Sequence, residues 1–255
     1  MAAAPVAILS AQAQEQQGLL EMLDARHVVL RAGRRFEFGR LHGHPVVLAL
    51  SRIGKVAAAT TTTTLIEAFG VKRIVLTGVA GALTPELQIG DMAVASAFVQ
   101  HDMDASPLFA RFEVPLYGRT QFSCDSDLSA TLLQACQRAA ATLGTPDAAA
   151  RITVPPRTPL VHHGLLASGD RFVGTAPQAA AIGNALLARG MRAIAVEMEG
   201  AAVAQVCHDF GVAFAAVRTI SDTADDSAAG DFDHFVTHVA GRTSCAIIGQ
   251  LLRLL

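Results

Sequence analysis

The run Ala195-Val196-Glu197-Met198-Glu199-Gly200-Ala201-Ala202, with the later Arg218-Thr219-Ile220-Ser221-Asp222, decides how this chain is read. The first predicts an apolar strand over 193–196 that ends in two carboxylates before a small-residue helix over 201–207. The second repeats the arrangement: a strand over 213–220 ends at Ser221 and Asp222 as a loop begins. Strands alternating with helices build α/β sheets, which bind ligands at the carboxyl ends of their strands. A carboxylate among core residues is costly unless it is paired, capped or given a ligand. One such acid could simply cap a helix. Three acids at two successive strand ends point to a site.

Outward from these runs, short β-like stretches alternate with longer helical ones. Residues 6–9 predict a buried strand and 11–23 an amphipathic helix. Residues 34–41 and 45–50 predict an outer hairpin about His42-Gly43-His44. Gly54 marks the start of a helix over 55–69, where the poor helix formers Thr60 to Thr64 must be held by packing. A strand over 73–77 is expected to end in a Gly78-Val79-Ala80-Gly81 turn, and another covers 91–99. The helix over 127–143 takes Ser126 as N-cap and Gly144 as stop. Residues 144–160, with Pro146, Pro155, Pro156 and Pro159, read as a long connection, because a strand resumes over 161–168. Helices over 176–189 and 233–254 complete an α/β, three-layer sandwich with a central mixed sheet, expected as one domain over 1–255.

Of the 255 residues, 51% are hydrophobic and 16% charged, which suits a well-buried core. A net charge of −2 with no basic run excludes a nucleic-acid surface and leaves a small-molecule partner. The start lacks a basic region followed by an apolar one, so no signal peptide is expected, and no apolar run reaches the ~20 residues that span a bilayer. Cys124, Cys136, Cys207 and Cys245 are widely spaced and read as unpaired core thiols of a cytoplasmic protein. His162-His163, His42 with His44, and His234 with His238 lack completing ligands, so neither a metal nor any cofactor is expected. Gly78 and Gly81 lack the spacing of a dinucleotide fingerprint.

The segments AVEMEGAAVAQVC (195–207) and RTISDTAD (218–225) closely resemble the signatures of the 5′-methylthioadenosine/S-adenosylhomocysteine nucleosidases, a family within the nucleoside phosphorylase superfamily. The resemblance continues through Ser51-Arg52-Ile53-Gly54-Lys55-Val56, Thr77-Gly78-Val79-Ala80-Gly81, Gly90-Asp91, His101-Asp102-Met103-Asp104 and Ser168-Gly169-Asp170-Arg171-Phe172, in the same order over nearly the whole chain. It implies hydrolysis of an N-glycosidic bond with release of adenine, in a cytoplasmic homodimer.

That chemistry needs a protonated leaving base, a held oxocarbenium-like sugar and an aimed water. Asp222, its pKa raised in a dry pocket, is the candidate general acid toward N7, with Ser221 orienting it; capping a turn is the plainer reading. Glu15 matches the glutamate that activates water, against the alternative of a surface acid at a helix N-terminus. Glu199 would accept hydrogen bonds from ribose hydroxyls that strengthen in the transition state, Met198 would pack on the sugar, and Glu197 would support the ribose or the loop. Arg218 resembles the arginine that helps hold the water; a structural ion pair is its alternative. Phe172 resembles the adenine-stacking residue, and the Val173 backbone would bond the base. Ile53 would line the 5′ pocket and Phe232 close over it. Phe109 and Pro115 look like residues lent to a partner's site across the dimer.

Phosphate would need donors. Where the superfamily's hexameric phosphorylases carry an arginine and a serine, this chain has Leu76 and Val79, so water is the expected nucleophile. Rival readings are a hydrolase with another 5′ group or base (futalosine or hopanoid-linked), a phosphate-dependent phosphorylase, and a binding protein that has lost catalysis.

Overall fold

A computed structural model describes residues 4–143, 157–225 and 227–255. Val6–Ser10 (β1) is buried along its whole length. The apolar spacing that suggested a helix over 11–23 is satisfied without one: a single 3₁₀ turn, Ala13–Gln16, is followed by further turns. Two features stop the helix. Gly18 takes φ +89°, and a Cβ there would stand 2.8 Å from Cys245 Sγ. The buried Gln16 amide donates to the Ile8 and Ala49 carbonyls at 3.1 and 2.9 Å, tying the turn to two strand ends. Leu19 and Leu23 reach the core all the same.

Asp24–Arg31 (β2), a strand the pattern did not reveal, pairs with Arg34–Leu41 (β3), and β3 with His44–Leu50 (β4). The two-residue turns Ala32-Gly33 and His42-Gly43 take positive φ throughout, the hairpin geometry that matches strand twist. The expected hairpin is therefore present, but it is not an outer one: β4 lies parallel to β1 inside the sheet. Lys55–Phe69 (α1) has its expected bounds. Within it Thr60, Thr61, Thr62 and Thr64 each return a hydroxyl to the carbonyl four residues back, and Thr61 and Thr62 are buried.

Arg73–Ala82 (β5) runs straight through the expected glycine turn, because it has partners there: Arg218 lies opposite Gly78 and Val196 opposite Gly81. Met92–Gln100 (β6), the short Gln121–Ser123 (β7), Ser126–Leu143 (α2), Val161–Ser168 (β8) and Ala176–Leu187 (α3) follow. The side chain capping α2 belongs to Asp125, whose Oδ1 accepts the Leu128 N–H at 2.8 Å; Ser126 lies inside the helix. Gly144 and most of the Pro-rich connection fall outside the described residues. Ala193–Glu197 (β9), Gly200–Phe210 (α4) and Ala213–Asp222 (β10) carry the two decisive runs. The expected last helix is divided: Ala228–Phe235 (α5) passes through a π-helical stretch, Val236–Ala240, into Gly241–Leu252 (α6).

The strands form one mixed sheet in the order β10-β6-β8-β9-β5-β1-β4-β3-β2, with β7 on β6. Because β10 also pairs with β5, the strands β5, β10, β6, β8 and β9 close on themselves. Side-chain alternation separates two cores. Ala7, Leu9, Ile74, Leu76, Phe214 and Ala216 join Leu65 of α1 and Val203 of α4. Val6, Ile8, Val75, Ala215 and Val217 join Leu132 of α2 and Ile248 of α6. The expected sandwich of helices about a central mixed sheet is the one observed. Among the described residues no helix is long and apolar enough to cross a membrane.

Candidate active site

The carboxyl ends of β1, β4, β5, β8, β9 and β10 surround a cavity of about 290 Å³. It is lined by Glu15, Ile53, Val79, Phe172, Val173, Glu197, Met198, Glu199, Arg218, Ser221, Asp222 and Phe232. Every candidate catalytic or substrate-binding residue is therefore brought together except Phe109 and Pro115, which lie in the loop over 101–120 and do not line the cavity of their own chain.

Glu15 is carried on the 3₁₀ turn after β1 and is 1% exposed. Its Oε2 accepts the Ala11 and Gln12 N–H groups at 2.8 and 2.9 Å, and its Oε1 accepts the Val79 N–H at 3.2 Å. Burial raises its pKa above the ordinary carboxylate value, against the pull of Arg218. Gly78 separates the two: a Cβ there would lie 2.6 Å from Glu15 Oε1 and would collide with Arg218 Nη1. Val79 therefore contributes its backbone donor to Glu15, while its side chain packs with Phe235, Val236 and Ala240. Leu76 is buried in the core.

Arg218, 1% exposed, bridges two acids through Nη2, making a close ion pair with Glu197 and one of 3.0 Å to Glu199 Oε2. The structural ion pair is thus real, yet its buried Nε has no partner. Glu197 also receives the Ser168 hydroxyl and the Glu199 and Gly200 N–H groups, so its oxygens are spent on fixing the start of α4. That start also needs Gly200, whose Cβ would run into the Phe98 ring. Glu199 is less committed: Oε1 accepts the Gly54 N–H at 2.9 Å and Oε2 meets Arg218. Burial first, with Glu197 and Glu15 adding to it, pushes Glu199 up to about 7.

Asp222 sits at the end of β10, 3% exposed. Ser221 Oγ donates to its Oδ2 at 2.7 Å and Ala224 N to its Oδ1 at 2.9 Å. Desolvation raises its pKa despite both bonds. Gly81 lets it approach β5, since a Cβ there would stand 2.8 Å from Oδ1. Phe172 and Phe232 meet edge to face at 5.6 Å, Phe172 remaining 44% exposed. The cavity thus sets two buried carboxyls with raised pKa, Glu15 and Asp222, beside Glu199, raised as well and with spare acceptor capacity, under an apolar cover.

Sequence reasoning missed the lining residues Ala11, Gln12 and Arg171, and the backbone N–H of Gly54. A backbone donor has no residue signature. The glycine after Ile53, with φ +96°, was its only trace.

Residues 5–253 match the sequence profile of the Phosphorylase superfamily. Fold and site place the chain in that class. The 5′-methylthioadenosine/S-adenosylhomocysteine nucleosidase of Shewanella denitrificans is 32% identical over 249 residues, covering 98% of this chain and 99% of the relative. An aminodeoxyfutalosine nucleosidase of Helicobacter pylori is 36% identical over 251 residues, with 96% and 99% covered. The Neisseria meningitidis nucleosidase solved with methylthio-immucillin-A superposes with a TM-score of 0.84 at 33% identity, covering 99% of this chain and 100% of the other. The chain belongs to the 5′-methylthioadenosine/S-adenosylhomocysteine nucleosidase family of the phosphorylase superfamily.

Proposed function

We propose that this chain is an N-glycosyl hydrolase that releases adenine from 5′-methylthioadenosine and S-adenosylhomocysteine. One observation carries the reading: Glu15 and Asp222, both buried and both with pKa values raised above the ordinary carboxylate range, line one cavity together with Glu199. Asp222 protonates N7 as the glycosidic bond lengthens. Glu199 accepts hydrogen bonds from the ribose hydroxyls, which acidify as positive charge develops. Glu15 takes the proton of the attacking water, with Arg218 beside it lining the same cavity. Phe172 covers the base, Met198 the sugar, and Ile53 with Phe232 the 5′ substituent.

Water is favoured over phosphate by charge. The buried arginine of the cavity is already engaged by Glu197 and Glu199, and Leu76 and Val79 present no donor side chain. An oxyanion placed there would lie beside Glu197 and Glu199, which already occupy Arg218. The test is adenine release from 5′-methylthioadenosine with and without phosphate. Free methylthioribose at equal rates in both supports the hydrolase; activity only with phosphate, giving the sugar 1-phosphate, overturns it.

A second reading keeps the chemistry and enlarges the 5′ group, as in aminodeoxyfutalosine. It is favoured by the Helicobacter pylori relative and by the open 5′ side of the cavity, where Ile53 is 55% exposed. Competition between the two nucleosides in one assay separates them. The working form we propose is a cytoplasmic homodimer in which each copy supplies Phe109 and Pro115 to the other's 5′ pocket.

A further inference from the structure

Asp170 lies one residue before the stretch Arg171, Phe172 and Val173 that lines the cavity, and lines no part of it itself. It nonetheless sits at the centre of a chain of hydrogen bonds that ends on Glu199. Its Oδ1 accepts the Lys55 N–H at 2.7 Å, at the first residue of α1. The preceding N–H, that of Gly54, reaches Glu199 Oε1 at 2.9 Å. Gly54 has φ +96°, and a Cβ there would stand 3.1 Å from Asp170 Oδ1, so the turn is shaped around this carboxylate. Asp170 is held in turn. Its own N–H donates to Asp102 Oδ2 at 2.9 Å, while Asp102 Oδ1 grips Lys55 Nζ at 2.6 Å.

We infer that Asp170 is a positioning residue for the reaction: seated by Asp102, it fixes the Gly54–Lys55 peptide so that the Gly54 N–H stays on Glu199 and leaves that carboxylate aimed at the ribose. The inference deepens the proposed nucleosidase reading and rests on it for its catalytic meaning. The plain alternative is that Asp170 caps α1 and no more. The two differ in what Glu199 feels. The Gly54 N–H is one of the few groups that stabilise the ionised form of Glu199. The charged groups facing Glu199 from other elements are Arg218 on β10, Glu197 on β9 and Glu15 on the turn after β1, and none of them is bonded to Asp170.

The test titrates Glu199 directly by carboxyl ¹³C NMR of glutamate-labelled full-length protein, its resonance assigned by loss in Glu199→Gln. In Asp170→Ala the midpoint is expected at a pH about 0.5 higher than in the parent, because one hydrogen bond to the anion is weakened. Asp170→Asn retains an oxygen for the Lys55 N–H and is expected to titrate like the parent. Asp102→Ala keeps the Asp170 carboxyl but removes the acceptor of the Asp170 N–H, and should move the midpoint the same way by less. On 5′-methylthioadenosine, Asp170→Ala should lower kcat/KM about tenfold while adenine alone binds within about twofold of the parent, since only the sugar contact is disturbed. An unchanged Glu199 midpoint in both alanine variants overturns the inference, whatever happens to their melting temperatures. Parent protein that releases no adenine would sink the nucleosidase reading and leave the titration result standing.

Discussion

Asp222 is held by two donors that an amide can also satisfy: Ala224 N–H can donate to the remaining carbonyl oxygen, and the Ser221 hydroxyl can turn to accept. Asp222→Asn should therefore fold with an unchanged melting temperature and lose kcat on the order of 10²–10⁴-fold, the usual range for a general acid. Adenine release and a thermal melt on the same preparation check both halves. Glu199 supports a prediction about stability. Its folded pKa is raised from the ordinary 4.5 to about 7, so the folded state holds this proton more tightly than the unfolded one. The stabilisation is complete below about pH 4.5 and is lost as pH rises through about 7. Melting temperature should fall across that window in the parent and fall less steeply in Glu199→Gln. A parallel pair of curves would contradict it. These acids were legible in the sequence because burying a carboxylate at a strand end is too costly to be incidental. Asp170 was legible only as part of a motif, because its action passes through two backbone amides that any residue type would present.

At the scale of elements, the readings that held were those set by local pattern, as in the strands β1 and β8 and the helix α1. Those that failed were overridden by contacts distant in sequence. The segment 11–23 has helical apolar spacing, but Gln16 is claimed by carbonyls of β1 and β4 and Gly18 by the close approach of α6. The run from Gly78 to Gly81 looks like a turn, yet both glycines lie within β5, paired with Arg218 and Val196, and the site's charged side chains leave no room there for a Cβ. Gly78→Ala should thus abolish detectable adenine release and lower the melting temperature, since the new methyl displaces Glu15 or Arg218. The threonine run of α1 yields a graded prediction. Thr60 is exposed, so Thr60→Ala gains about 0.5 kcal/mol of helix propensity and raises the melting temperature slightly. Thr62 is buried with its hydroxyl on the Ala58 carbonyl at 2.8 Å, so Thr62→Ala should cost about 1–2 kcal/mol. Equal effects at both positions would mean that packing does not carry this helix.

At the scale of the molecule, several large apolar side chains stand exposed near the start of α1 and on the loop over 101–120. Ile53 and Val56 stand at the start of α1, 55% and 78% exposed, and Leu108 and Leu116 on the neighbouring loop are 84% and 92% exposed. The Lys55–Asp102 ion pair ties that loop to α1. Exposed apolar side chains on two segments joined in this way suit a surface that a partner covers. If a second copy covers it, Phe109 and Pro115 complete the partner's site, and the arrangement can be tested by complementation. Phe109→Ala spoils what a chain lends; Asp222→Asn spoils the chemistry of its own cavity. In a two-fold dimer of one of each, the cavity with intact Asp222 receives an intact Phe109. Equal amounts assembled together give about half mixed dimers, each with one complete site, hence about a quarter of the parent activity per chain. Activity equal to the average of the two variants measured alone would place Phe109 outside the partner's site. Val56→Glu supplies the control: if a second copy covers this face, the charge should shift sedimentation toward the monomer and lower kcat/KM together, and an unchanged sedimentation profile would argue against that dimer.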